Sequence, residues 1–216
     1  MKTRMPLRAI IADDHPIVVK GIKSYLERDG AVEVVATAHD TQELAEALDS
    51  TACDFVFSDI GMQGMEGESS SITFLRRFSS RVERPRLVVI TMLSQARMLA
   101  GLLRMGVDGV VDKRDGLESL ETAIAAISAG RRFASPLAID ALSSLPETMP
   151  ACVGVLSRRE WEVFRLYASG MVVHEIASRF GRSSKTIATQ KRSGMRKLGL
   201  SSEADLVEYF RQVGLV

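Results

Sequence analysis

Leu7-Arg8-Ala9-Ile10-Ile11-Ala12-Asp13-Asp14 is the stretch on which the fold turns: a short, mostly aliphatic run that ends on two adjacent carboxylates. The same grammar recurs downstream. Phe55-Val56-Phe57-Ser58 runs into Asp59, Leu87-Val88-Val89-Ile90 into Thr91, and Gly109-Val110-Val111-Asp112 into Lys113. Near-continuous apolar runs of this length suit strands of a parallel sheet buried on both faces. In an open α/β sheet, ligands bind at the carboxyl ends of the strands. Three carboxylates, a hydroxyl and an ammonium are therefore expected at one edge, a set suited to a divalent cation and a phosphoryl group.

Working outward, longer amphipathic segments separate these runs. Helices are expected over Pro16–Asp29, Thr41–Asp49, Ser71–Phe78, Ala96–Arg104 and Leu117–Ala129, with a further strand at Val32–Val35. Strict alternation of this kind predicts an α/β fold: a five-stranded, doubly wound, flavodoxin-like (βα)5 sheet with right-handed crossovers, over residues 1–129. Residues 130–152 carry Ser135-Pro136, Leu145-Pro146 and Met149-Pro150 and read as a linker with a partial helix near Leu137–Leu145. Residues 153–216 read as an all-α domain of four helices, Arg158–Ser169, Val173–Phe180, Ser184–Leu198 and Glu203–Val213. Gly170, Gly181 and Gly199 fall just past the first three, where helix ends favour glycine. Ser157 with Glu160 three residues on has the spacing of a capping box.

Charge divides the same way. Residues 1–150 hold 17 Lys and Arg against 21 Asp and Glu, a balance of −4; residues 151–216 hold 11 against 6, a balance of +5. An acidic front and a basic tail suggest two functions, with nucleic acid the candidate partner of the tail. No apolar run approaches the roughly 20 residues of a membrane helix. The N-terminus is too short and polar before the first strand for a signal peptide, so a cytoplasmic protein with no membrane partner is expected. Cys53 and Cys152 lack metal or redox spacing, as do His39 and His174. Met92, Met98 and Met105 read as packing.

A strand-end carboxylate can itself be a nucleophile and form an aspartyl phosphate. Ile10-Ile11-Ala12-Asp13-Asp14-His15-Pro16, Phe57-Ser58-Asp59-Ile60-Gly61-Met62, Val89-Ile90-Thr91-Met92 and Lys113 together resemble the receiver domain of two-component response regulators over about residues 7–129. The resemblance implies that Asp59 is the phosphoacceptor. It implies Mg2+ as cofactor, bound by Asp14, Asp59 and the carbonyl of Gly61, with Asp13 acting through water. Thr91 would be the switch hydroxyl and Lys113 the ion-pair partner of the phosphoryl group. His15, at the edge with no nucleophile to activate, reads as structural. Three positions depart from the family pattern. Gln63-Gly64 follows Met62 where Pro-Gly is common, Val110 stands where a switch aromatic is usual, and Arg114 replaces the Pro after the lysine, so a cis peptide is not expected there. The chemistry survives these departures; the route of signal transmission is what they put in question.

In the tail, Lys185, Ala188, Thr189, Arg192 and Arg196 share one face of the helix from Ser184, with Ile187, Gly194 and Leu198 roughly opposite. A basic face with small residues between suits insertion in the DNA major groove. The short preceding helix and the turn Gly181-Arg182-Ser183 complete a helix-turn-helix. Leu156-Ser157-Arg158-Arg159-Glu160-Trp161-Glu162-Val163, Glu175-Ile176-Ala177, Ser184-Lys185-Thr186-Ile187 and Arg196-Lys197-Leu198-Gly199 resemble the LuxR/NarL-type helix-turn-helix domain. The resemblance implies DNA contacts from Lys185, Thr186, Ala188, Thr189, Lys191, Arg192 and Arg196. Ala188 stands where relatives often carry Lys, so base preference does not transfer. Glu160 and Trp161 read as cap and core. Leu206, Val207, Phe210 and Val213 form a stripe that suits either core packing or a dimer face.

Together the two resemblances imply a regulator phosphorylated on Asp59 by a histidine kinase or phosphotransfer protein, binding DNA as a homodimer. The runs around Asp13 and Ser184 are most similar to phosphorelay regulators of capsule synthesis, which implies input from a phosphotransfer protein and heterodimers with auxiliary regulators. An alternative is a phosphorylation-independent DNA-binding protein whose receiver is a dimerisation or partner module. An enzyme, a haloacid-dehalogenase-like phosphatase, is disfavoured because Gly61 stands where such enzymes carry a second Asp. No catalytic residue is expected.

Overall fold

The computed structural model describes residues 5–62, 71–144, 156–212 and 215. Its N-terminal half is one parallel sheet of β1 (Leu7–Ala12), β2 (Val32–Ala38), β3 (Phe55–Asp59), β4 (Arg86–Thr91), β5 (Gly109–Asp112) and β6 (Phe133–Ala134), in the order β2-β1-β3-β4-β5-β6. Side chains alternate across each strand, and the alternation sorts them into two cores. Ile10, Val56, Leu87 and Val89 point to one face, where they meet α2 (Thr41–Ser50), α3 (Ser71–Ser79) and α4 (Ala96–Met105) through Leu44, Leu75, Phe78, Met98 and Leu102. Ala9, Ile11, Phe57, Val88 and Ile90 point to the other, against α1 (Pro16–Leu26) and α5 (Glu118–Ser128) through Val19, Ile22, Leu26, Leu120 and Ile127. Burial on both faces is why the strands read as near-continuous apolar runs.

Among the described residues the sheet has six strands, not the expected five. Phe133 and Ala134 pair in parallel with Gly109 and Val110, so β6 covers the edge of β5. Two residues are too few to show a period-2 pattern. The chain then turns through fully buried Ser135 into α6 (Pro136–Ser143), which packs on α4 and β5. Expected helix starts are explained by local chemistry. Asp40 accepts the Glu43 N–H at 2.8 Å while the Glu43 carboxylate accepts the His39 N–H at 2.7 Å, and Pro16 opens α1. Among the described residues no peptide bond is cis, in keeping with Arg114 after Lys113. Gln63–Gly64, Cys152 and Val213 lie outside the described residues.

The C-terminal domain comprises α7 (Arg158–Ala168), α8 (Val173–Arg179), α9 (Ser184–Leu198) and α10 (Glu203–Gln212). Phe164 is its hub, fully buried and set edge-on to Phe210 at 5.7 Å and to Tyr209 at 6.5 Å. Ile187, Gly194 and Leu198 form the buried face of α9, as their spacing predicts. The capping box is made: the Ser157 N–H donates to the Glu160 carboxylate at 2.7 Å and the Glu160 N–H to the Ser157 hydroxyl at 3.3 Å. Leu206 and Phe210 are buried, while Val207 is 40% exposed. Gly199, in the left-handed region at φ 74, ends α9 and lies against α4; a Cβ built there would sit 3.1 Å from the Cβ of Arg97.

Candidate functional site

Parallel register brings the strand ends together. Asp13 follows β1, Asp59 ends β3, Thr91 ends β4 opposite Asp112, and Lys113 follows β5. Asp13, Asp59 and Thr91 are buried, at 1%, 6% and 1% exposure. The Lys113 ammonium joins the two inner carboxylates, at 2.6 Å from Asp13 Oδ2 and 3.1 Å from Asp59 Oδ1. The second oxygen of Asp59 accepts the Gly61 N–H at 2.7 Å, which ties the loop after β3 to the carboxylate. The Thr91 hydroxyl accepts the Leu93 N–H at 3.0 Å. Asp14 is the outer carboxylate; its Oδ1 lies 2.7 Å from His15 Nδ1, which is also 3.1 Å from Asp13 Oδ1. Asp13, Asp14 and His15 thus bring one ligand atom each within 4.8 Å of one another. His15 is the neighbour that pattern reading set aside; its position next to the acidic pair was the available signal.

Burial is the largest influence on the Asp59 carboxyl and raises its pKa; Lys113 opposes the rise and the Asp13 charge adds to it. Burial acts to lower the Lys113 pKa, but Asp59 and Asp13 outweigh it, so the ammonium stays charged. Three carboxylates against one ammonium leave a pocket of net negative charge with oxygen donors, the donor chemistry of a hard cation such as Mg2+.

On α9, Lys185, Thr186, Thr189, Arg192 and Arg196 are exposed and Ala188 is half-buried. Thr186 also serves the helix start: its N–H donates to the Ser183 hydroxyl at 3.1 Å. Thr189 donates its hydroxyl proton to the Lys185 carbonyl at 2.8 Å. Lys191 stands apart. Its ammonium is 2.6 Å from Glu203 Oε1 and 4.3 Å from the Tyr167 ring centre, with the side chain 14% exposed. A cleft of about 550 Å3 lies along α9 and the residues that follow it, lined by Ala188, Lys191, Arg192, Arg196 and Glu203 among others, with Arg97 contributed by α4. Part of the basic face therefore looks toward the receiver half. Nothing in the local sequence around Arg97 signals that placement.

Comparison with known proteins agrees with both halves. Residues 9–125 match the response regulator receiver domain, and residues 154–210 match the bacterial regulatory proteins of the luxR family. The chain is 34% identical over 213 residues to the transcriptional regulatory protein RcsB of Escherichia coli K12, covering 97% of this chain and 96% of the relative. It is 32% identical over 210 residues to the fimbriae Z protein of Salmonella typhimurium, covering 94% and 96%. Among solved structures, an RcsB–DNA complex is similar with a TM-score of 0.64 at 32% identity, covering 96% of this chain and 99% of that one. RcsB of Salmonella enterica serovar Typhimurium, bound to a promoter in the presence of the phosphomimetic BeF3−, is similar with a TM-score of 0.65 at 32% identity, covering 96% and 98%. Acidic pocket, basic helix and both domain matches place the chain in one family: it belongs to the two-component response regulators that join a receiver domain to a LuxR-type DNA-binding domain.

Proposed function

We propose that phosphorylation of Asp59 controls dimerisation and sequence-specific DNA binding by this protein, and thereby transcription. The observation that carries this reading is the Lys113 ammonium set between the buried carboxylates of Asp13 and Asp59. A carboxylate oxygen of Asp59 attacks the phosphorus of a phosphohistidine on a kinase or phosphotransfer protein. The O–P bond forms as the P–N bond breaks and the imidazole leaves. Asp13, Asp14 and Asp59, with the Gly61 carbonyl, are the residues that would hold Mg2+, which when bound offsets charge on the transferring group. Lys113 and the Thr91 hydroxyl would hold phosphoryl oxygens.

DNA is read by α9 through Lys185, Thr186, Ala188, Thr189, Arg192 and Arg196, with Lys191 at the edge of the face. Two copies would place their helices in half-sites about one helical turn apart. The contact of α4 with Gly199 and the cleft beside Arg192 and Arg196 support a resting form in which the receiver lies across part of that face. A cytoplasmic location, where DNA is found, fits this role; no helix among the described residues is long and apolar enough to cross a membrane.

Intact mass after incubation with acetyl phosphate and Mg2+ tests the reading, beside an Asp59→Asn variant and an EDTA control. A Mg2+-dependent phosphoryl adduct that the variant lacks is expected. No adduct from acetyl phosphate or from a phosphotransfer protein would leave the receiver as a partner module, the reading that Val110 at the switch position favours.

A further inference from the structure

A receiver without a switch aromatic needs another exit for its signal. Val110 is fully buried and aliphatic, and its backbone is engaged: its carbonyl accepts the Ser135 N–H at 3.0 Å, and it pairs with Ala134 in β6. The residues that follow β5 form a single 3-10 turn, Lys113–Asp115, whose three side chains go to three places. Lys113 enters the acidic pocket. Arg114 is held in a fork by Asp112, at 2.8 and 2.6 Å. Asp115 accepts the Leu137 N–H on both oxygens, at 2.9 and 3.2 Å.

That last contact has an unusual origin. Ser135 is the N-cap of α6, yet its side chain makes no cap bond. Its hydroxyl oxygen instead accepts the Asp112 N–H at 2.9 Å, deep in the fold. The free donors of a helix start need an acceptor, and here the turn that carries Lys113 supplies one across 22 residues of chain. The same helix packs on α4, which follows Thr91. So α6 rests on both elements that follow the phosphoryl-sensing residues, and in chain order it is the next described helix before the DNA-binding domain.

We propose that Asp115 is the coupling residue of this receiver: its bond to the Leu137 N–H carries the movement of Lys113 into α6, and from there to the DNA-binding domain. This rests on the reading that Asp59 is phosphorylated. A phosphoryl group on Asp59 draws the ammonium from Asp13 toward the new oxygens. The turn follows, and Asp115 either drags the start of α6 or releases it. Asp115 does not touch the reacting atoms; it acts through the turn.

The test uses the full chain, wild type, Asp115→Ala and Asp115→Asn, with and without BeF3− and Mg2+. Two quantities are read. One is the ratio of DNA affinities with and without BeF3−, for a duplex selected from a random pool by the loaded wild type. The other is hydrogen exchange of the α6 amides. The wild type should show a ratio of about 5 or more, the low end of typical allosteric coupling, and an α6 exchange rate that responds to BeF3−. Asp115→Ala should bind BeF3− as well as wild type, yet show a ratio under about 2 and an α6 that exchanges fast in both states. Asp115→Asn keeps an acceptor and should restore both. A merely structural role would weaken the two affinities together and leave the ratio. An unchanged ratio in Asp115→Ala overturns the proposal, as does α6 exchange that ignores BeF3− in the wild type. If the wild type binds BeF3− but its ratio is 1, the DNA-control reading fails instead, and the α6 exchange alone decides the coupling.

Discussion

Replacing Glu160 by Gln removes a charge and little else, and the cost can be worked from the structure. The Glu160 carboxylate is 7% exposed and lies 2.7 Å from the Lys197 ammonium. Burial alone would raise its pKa. The Lys197 ammonium, the Ser157 N–H and hydroxyl, and Ser193 outweigh burial and hold it at about 2, against an ordinary 4.5. At roughly 1.4 kcal/mol per pH unit, that depression corresponds to about 3 kcal/mol of folding stability. Lys197 is 40% exposed, so solvent screens the pair and about 2 kcal/mol is the better expectation. Gln keeps an acceptor for the Ser157 N–H, so the capping bond is spared. The sign follows from the depressed pKa: the stabilisation is fully present above 4.5 and is lost as pH falls toward about 2. The assay is urea unfolding followed by Trp161, the chain's only tryptophan and next to Glu160 in α7. Glu160→Gln should unfold about 2 kcal/mol more easily at pH 7, with the gap to wild type less than half as large at pH 3. A gap below about 0.5 kcal/mol at pH 7, or one that does not shrink in acid, would refute the assignment of stability to this ion pair.

Lys113→Met should leave Asp13 and Asp59 facing each other in a buried pocket, at a cost of about 3 kcal/mol at pH 7 by thermal melting. Because the Asp59 pKa is raised, acid protonates it in the folded state and should recover part of that loss, as should millimolar Mg2+. Arg84→Ala removes a guanidinium that is 12% exposed and bonded to Asp108 at 2.6 Å, to the Gly106 carbonyl at 2.7 Å and to the Ser79 carbonyl at 3.2 Å. The receiver should lose about 3 kcal/mol in urea unfolding, with the phosphoryl adduct still forming on the folded fraction. Arg192→Ala should weaken DNA binding and lower the salt slope by about 1 in a fluorescence titration. Lys191→Ala should leave that slope unchanged and cost the domain about 1 kcal/mol, since its ammonium is committed to Glu203 and Tyr167.

Particular residues show which parts of this protein can be read from the chain. The strands of the receiver were legible because a strand buried on both faces is apolar at nearly every position, and Ile10-Ile11 or Val88-Val89 can hardly be anything else. The strand-end residues were legible because polar groups after such runs have few structural reasons to be there. Ile187, Gly194 and Leu198 were legible as the inner face of α9 because a helix repeats every 3.6 residues. Contacts across distant elements were not. Lys191 is one position, about a quarter turn of helix, from Arg192, and the sequence gives no sign that Glu203 from α10 and Tyr167 from α7 arrive to engage its ammonium. Asp115 and Leu137 carry no shared pattern, and β6 is too short to have one. Local rules report the period of an element; they do not report which donor another element will be asked to satisfy.

The pairing of β6 with β5 sets where the receiver can be cut. A fragment ending at residue 129 keeps all five helices of the receiver but strips Phe133 and Ala134 from Gly109 and Val110. It would present the N–H and C=O groups of β5, a strand buried at Gly109, Val110 and Val111, to other molecules, the template on which sheets grow between chains. It would also take from Asp112 the Ser135 hydroxyl that satisfies its N–H. A fragment carried through Ser144 closes that edge with its own strand and keeps α6 on its seat. Of two preparations that differ by fifteen residues, the longer should stay monodisperse and the shorter should associate through the exposed side of β5.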